Sequence, residues 1–225
     1  MNDETPLRTI SLFEGLSDTE LSAVAASCAI RMFEKQAQIL GEQEPTTDVF
    51  FILSGTVRST SYTAAGREVI FNEIEAGEIF GEFSAVDGLP RASSCVAITD
   101  CRVARMTREK FLQMLERNGK IAVRLVELLV SKNRSMSERV FEVSALAVRE
   151  RVRRELLRLA KDGEEFRNGI VIRPAPTHYE IAARIGSHRE AVTREFNRLE
   201  AEGIVEVRRR QLRIIDIKRL QEGEE

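Results

Sequence analysis

The stretch GEIFGEFSAVDGLPRASSCVA, residues 77–97, decides how the first half of this chain is read. It holds three glycines, a lone arginine behind a proline, and small polar residues after it. Two readings compete: a turn between strands, or a cradle for an anion. Gly81 allows the backbone to come close to something, and successive backbone N–H groups in such a loop form an anion-binding concavity. Arg91, stiffened by Pro90, supplies a charge-assisted fork for phosphate oxygens. Glu82 cannot bind phosphate, but it can accept hydrogen bonds from a sugar hydroxyl, as acidic residues do in other nucleotide sites. Arginine and carboxylate around one glycine-rich loop suit a ligand whose phosphate and sugar hydroxyl lie close together.

Around this loop the texture is that of short strands. From Ile30 to about Met106 the runs AQIL, VFFIL, TVRSTSYT, EVIFNEI, SCVAI and CRVARM alternate with the turn signals EQEP, SG, AAGR, AGE, DGLP and TD. Such spacing suggests a sandwich or a double-sheet jelly roll. Upstream, Ser17 and Asp18 followed by Glu20 mark a helix start. Downstream, REKFLQMLERN reads as a short amphipathic helix, and Lys120 to Ala147 runs without Pro or Gly. There Leu129, Met136 and Val143 recur every seven residues, with Val126, Val140 and Leu146 nearby, a seam for a partner helix. Packing on the chain's own sheet is the alternative, and Lys132 and Arg139 interrupt a second apolar row. VRERVRRELLRLAKDG is a further helix ending at Gly163, and GIVIRP a short strand. THYEIAARIGSHREAVTREFNRLEAEGIVEV gives two helices around Gly186, packed through Ala182, Ile185, Val192 and Leu199. RRRQLRIIDI completes a hairpin, so the last third reads as a winged helix-turn-helix; QEGEE is expected to fray.

Composition narrows the function classes. The chain has 225 residues, 43% apolar and 31% charged, as a globular protein does. No apolar run approaches the roughly 20 residues of a membrane span, so no membrane partner is expected. MNDETPLRTI lacks the order of a secretory signal, which points to the cytoplasm. Cys28, Cys95 and Cys101 form no CxxC pair and read as reduced, mostly buried thiols. The two histidines, His178 and His188, both fall in the last third, which disfavours a metal or haem sensor. An iron-sulphur cluster needs a cysteine cluster. No nucleophile–base order suggests an enzyme. Residues 146–225 carry 18 Lys and Arg against 15 Asp and Glu, a net of +3, while the rest carries 16 against 21, a net of −5. That permits a nucleic-acid-binding C-terminal part without establishing one.

FGE at 80–82 followed by PRA at 90–92 resembles the phosphate-binding cassette of cyclic-nucleotide-binding domains. LFEGLSDTEL and VFFILSGTV resemble that family's first helix and a strand–turn of its roll. The resemblance implies that Gly81 and Glu82, with adjacent Phe83, hold the ribose 2′-OH, and that Arg91, Ala92 and Ser93 hold the cyclic phosphate. The base would meet the long helix at Met136 and Ser137. Met136 stands where the family has threonine, and Gln43 stands where the family usually has glycine. The ligand implied is cAMP, with cGMP as a competitor.

The second motif resembles the DNA-binding helices of the cAMP receptor protein / fumarate-nitrate regulator (Crp-Fnr) family. SHREAVTREF would be the recognition helix, entering the major groove by its N-terminal end. Arginine grips guanine O6 and N7, and glutamate accepts from cytosine N4. The resemblance implies that Arg189, Glu190 and Arg194 read a TGTGA-like half-site. Thr177, His178, Ser187, His188 and Thr193 are candidate phosphate contacts, with Arg208, Arg209 and Arg210 in the wing. The expected architecture is α+β: an N-terminal β jelly-roll (cyclic-nucleotide-binding) domain at 1–118, a long dimerisation helix and hinge at 119–147, and a C-terminal winged helix-turn-helix domain at 148–225. The expected partners are double-stranded DNA, a second copy of the chain and, by resemblance, RNA polymerase. A regulator of the same architecture that takes another ligand, or none, is the alternative.

Overall fold

The computed structural model describes residues 5–166 and 169–222. The chain divides into two compact units, Met1–Lys132 and Asn133–Glu225.

In the first unit, two short 3-10 turns (Thr5–Thr9 and Ser11–Phe13) lead into α1 (Asp18–Ser27). Ser17 caps α1 as the sequence suggests: its hydroxyl accepts the Glu20 N–H, and the Glu20 carboxylate takes the Ser17 N–H at 2.8 Å. Then come β1 (Ala29–Phe33), β2 (Gln38–Leu40), β3 (Val49–Ser54), β4 (Val57–Tyr62), β5 (Glu68–Ile74), β6 (Ile79–Phe80), the short helix α2 (Glu82–Asp87), β7 (Ser94–Ala97) and β8 (Cys101–Met106). They form two four-stranded antiparallel sheets, β1-β8-β3-β6 and β2-β7-β4-β5. The helices α3 (Arg108–Arg117) and α4 (Gly119–Ala145) follow.

The run VFFIL is apolar without alternation because β3 is covered on both faces. Val49 and Phe51 join Phe13, Leu21, Phe111 and Ile121 in the core under the helices. Phe50 and Ile52 point the other way, into a core shared with Val57, Phe80, Cys95 and Val103. β1, β6 and α2 were not expected. β1 is almost wholly exposed and so shows no alternation, and β6 has two residues. α2 occupies part of the stretch read as loop.

Along α4, Ile121 and Leu125 are buried in the first core, and Leu128 and Leu129 pack against it. Leu129 therefore belongs to the chain's own core, not to an outward seam with Met136 and Val143. The other expected seam positions Val126, Met136, Val140 and Val143 are exposed, as are Val123, Val130 and Phe141, and Leu146 is half-buried. Heptad spacing cannot tell which face the chain's own sheet covers. The helix breaks at Leu146 and Ala147, where the Ala147 N–H is held by Glu150 Oε2 at 2.7 Å.

In the second unit, α5 (Val148–Ala160) stops short of Gly163 and leads to β9 (Glu164–Phe166), β10 (Gly169–Ile172), α6 (His178–Arg184), α7 (Arg189–Ala201), β11 (Val205–Arg208), β12 (Gln211–Ile214) and α8 (Ile217–Glu222). The strands form one sheet in the order β11-β12-β10-β9. Ala182, Ile185, Val192 and Leu199 meet in its core together with Val152, Leu156, Phe196 and Leu212. Gln221 and Glu222 lie in α8, and 223–225 fall outside the described residues. Among the described residues no helix is long and apolar enough to cross a membrane.

Candidate functional site

The loop after β6 is built around a glycine that nothing else can replace. Gly81 has φ +81°, and a Cβ there would stand 2.8 Å from the Asp48 carbonyl oxygen and 2.9 Å from Arg91 Nη1. No L side chain fits that conformation and that space together. The chain then turns into α2, so Glu82 is drawn inward and is 3% exposed. Its Oε1 accepts from Lys132 Nζ at 2.6 Å. Phe83 points outward, 40% exposed.

Arg91 is the most enclosed charge in the first unit, at 2% exposed. Its guanidinium is held by three acceptors. Nε donates to Thr46 Oγ1 at 2.9 Å, Nη1 to the Gly81 carbonyl at 3.0 Å, and Nη2 to the Asp48 carbonyl at 2.8 Å. Burial pulls its pKa down, with the nearby Asp48 charge acting against that; a guanidinium stays protonated regardless. Its backbone is clamped as well: the Arg91 N–H donates to the Glu44 carbonyl, and the Gln43 N–H to the Arg91 carbonyl, each at 2.9 Å. Gln43 sits at φ +64°, in the left-handed region that favours glycine. Ala92 is exposed, and Ser93 Oγ shares a hydrogen bond with Ser59 Oγ at 2.8 Å. Thus Gly81 meets Arg91 directly, and the partners that hold Arg91, Glu82 and Ser93 are Thr46, Asp48, Lys132 and Ser59. Those last four escaped sequence reasoning. Lys132 left a trace there as a charge breaking an apolar row.

Cys95, two residues beyond Ser93, is buried; burial, then the Glu82 charge, push its thiol up to about 12. Cys28 is pushed up to about 12 by burial as well. All three cysteines are free, and a thiol held that far up is a poor nucleophile. Met136 and Ser137 lie on the part of α4 that belongs to the second unit; both are exposed, and the Ser137 hydroxyl donates to the Asn133 carbonyl at 3.0 Å.

In the second unit, Thr177 caps α6 through a reciprocal pair with Glu180, and Gly186 makes the turn at φ +62°. α7 then presents His188, Arg189, Glu190 and Arg194 outward, all exposed. Among the described residues none of these makes an ion pair, whereas Arg198 lower on α7 is tied to Glu195 and Glu202. Ser187 is 7% exposed and does not stand on that face. Thr193 is half-buried, its hydroxyl 2.9 Å from His178 Nδ1. The His178 ring lies against Phe196 in a tilted arrangement, centroids 4.5 Å apart, and burial, then the Arg189 charge, lower its pKa. Arg208 pairs with Glu206, while Arg209 and Arg210 occupy the exposed tip of the β11–β12 turn.

Buried arginines fix this reading unit from behind. Arg151 Nη1 donates to the Ile185 carbonyl at 2.6 Å, next to the Gly186 turn. Arg153 Nη1 donates to the carbonyls of Arg219 and Leu220. Glu155, 2% exposed, lies 3.6 Å from both Arg158 and Arg184, and Arg158 also meets Glu142 on α4. The arginine-rich spacing of α5 was visible in sequence, but its inward direction was not.

Residues 30–118 match the family model of the cyclic nucleotide-binding domain, and residues 150–222 that of the Crp-like helix-turn-helix domain. The chain is 29% identical over 194 residues to the cyclic AMP receptor protein of Thermus thermophilus, covering 86% of this chain and 87% of that one. It is 25% identical over 215 residues to the CRP-like cAMP-activated global transcriptional regulator of Mycobacterium tuberculosis, covering 95% and 96%. In fold it is similar to the c-di-GMP responsive global regulator CLP of Xanthomonas campestris, with a TM-score of 0.77 at 19% identity over 89% of this chain and 100% of that one. With a nucleotide-type roll in one unit and an exposed reading helix in the other, this chain belongs to the Crp-Fnr family of DNA-binding transcription regulators, which are not enzymes.

Proposed function

We propose that the chain is a cAMP-responsive, sequence-specific transcription regulator of the cytoplasm, acting as a homodimer on a TGTGA-like palindrome and, by likeness to its relatives, through RNA polymerase. The observation that carries this reading is the pair of buried charges that follow Gly81, Glu82 and Arg91, with Ser93 two residues further on. A carboxylate that accepts from a sugar hydroxyl and an arginine and serine that donate to a phosphate suit a cyclic phosphate fused to a ribose. Arg91, Ala92 and Ser93 would take the phosphate, and Gly81, Glu82 and Phe83 the ribose edge. Met136 and Ser137 stay with this reading as the base-selecting pair.

Dimerisation is supported by the exposed valines at 123, 126, 130 and 140, more apolar surface on one helix than water favours. Two reading heads would then face successive major grooves, roughly 34 Å apart. Arg189, Glu190 and Arg194 are the base-reading candidates. Thr177, Ser187, His188 and Thr193 are backbone candidates, of which buried Ser187 has the weakest support. For nucleotide to act as a switch it must prefer the DNA-competent state; a ligand indifferent to the two states shifts nothing.

A second reading has its own support. Three of the five Arg91 N–H donors are already given to Thr46, Gly81 and Asp48, and Glu82 Oε1 to Lys132, so a phosphate or a ribose would have to share these groups. That favours a regulator of this family that answers to another ligand or none. Calorimetry with cAMP and cGMP, together with a mobility shift on a TGTGA-N6-TCACA duplex with and without cAMP, separates them. Binding of cAMP with nucleotide-dependent retardation supports the first reading. Retardation that ignores cAMP leaves the second.

A further inference from the structure

The first unit holds a cleft of about 220 Å³, smaller than the ~300 Å³ at which drug-sized pockets begin. Of the loop residues 81–83 and 91–93, Arg91 alone borders it. The floor is apolar, with Phe33, Leu40 and Phe50, and the rim carries three arginines and two carboxylates. That leaves one positive charge in excess.

The excess can be assigned. In the β1–β8 pairing Arg31 stands opposite Val103 and Arg105 opposite Ala29. The two arginines are thus diagonal neighbours on one sheet face, about 7–8 Å apart. Asp48 neutralises Arg105, with Oδ2 accepting from Nε at 2.6 Å. Glu44 turns its carboxylate back over the Gly41 backbone. Arg31 is exposed and makes no ion pair among the described residues. Its guanidinium lines the cleft together with Phe33 and Phe50, so a flat, singly negative molecule would meet a charge and apolar rings in one place.

We propose that this cleft binds a small aromatic carboxylate, its ring between Phe33 and Phe50 and its carboxylate on Arg31. The guanidinium fork matches a carboxylate in shape and charge. The volume of about 220 Å³ suits a single ring. Arg91 forms the wall shared with the loop: it is tied to Thr46 and Asp48, which also border the cleft.

The test is a titration of the full-length protein with benzoate, read by NMR on the methyl groups of Ile39, Leu40 and Ala92. Saturable shifts at Ile39 and Leu40 with Ala92 unmoved are expected. Arg31→Gln, an exposed change that leaves the core intact, should weaken binding about tenfold or more, and neutral benzamide should not bind. The proposal is overturned by an absence of shifts in the folded protein or by equal binding to Arg31→Gln. It is overturned equally by equal binding of benzamide, or by shifts centred on Ala92, which would place benzoate in the loop.

Discussion

Replacing Arg91 by alanine should damage the first unit before any ligand is added. The side chain is fully enclosed and makes three hydrogen bonds of 2.8–3.0 Å. Two go to carbonyls, of Gly81 and Asp48, that face a guanidinium from which water is excluded. Each acceptor left bare costs about 1–3 kcal/mol. Thr46 is exposed, so water can replace its partner at little cost. Losing the buried aliphatic stem removes roughly a further 2 kcal/mol at about 0.8 kcal/mol per methylene. The total is about 5 kcal/mol, comparable to the whole stability of a marginal domain. With a urea slope of about 2 kcal/mol/M, the midpoint should fall by roughly 2.5 M. Arg91→Lys, which keeps the stem and part of the donor set, should fall about half as far, and Thr46→Val by under about 1 kcal/mol. The assay is urea unfolding followed by far-UV circular dichroism, without nucleotide. A midpoint for Arg91→Ala within about 0.5 M of wild type would refute the reasoning, because it would mean the guanidinium is not holding the loop. The result also governs ligand studies: loss of nucleotide binding in Arg91→Ala would not by itself reveal a phosphate contact.

Four other outcomes are expected. Gln43→Gly should raise stability by roughly 0.5–1 kcal/mol, the relief of a left-handed φ less the extra freedom of glycine in the unfolded chain; a lowered urea midpoint would contradict the strain. Glu190→Ala should relax preference at a single base pair by about 1–3 kcal/mol, while Arg209→Ala should weaken all sequences alike and lower the salt slope by about one. A uniform loss for Glu190→Ala in a binding-site selection would remove its reading role. Val126→Glu combined with Val140→Glu should convert a dimer to monomer in sedimentation equilibrium; an unchanged mass would rule out the exposed face of α4 as the interface. His178 has a pKa held below the ordinary imidazole value by burial and Arg189. Its neutral form therefore supports the fold above about pH 6.5, and that support is lost as pH falls through the lowered value. The melting temperature of wild type should drop more steeply below about pH 6.5 than that of His178→Gln, and parallel profiles would show that His178 does not titrate with folding.

Much of this was legible from residue order. The strands with turn signals at both ends, the Ser17 cap, the Gly186 turn and the outward arginines of α7 all follow from local chemistry: periodicity, φ preference and capping. Strands that are exposed or two residues long carry no such pattern, so β1 and β6 were invisible. Within the α4 seam Leu129 was misplaced, since it is spaced like Met136 and Val143 but is held by the chain's own core.

Sequence alone determined the kinds of group available: a left-handed glycine, an acid and an arginine in one loop, and a charged helix after a tight turn. Those are properties of a few neighbouring residues. Tertiary structure decided who meets whom. Arg91 reaches Thr46 and Asp48 some forty residues earlier, Lys132 comes from a helix fifty residues away to hold Glu82, and Arg151 turns inward to the Gly186 elbow. A charge can be counted in a sequence, but whether it is solvated or paired depends on burial. Burial is set by the packing of segments that are distant along the chain.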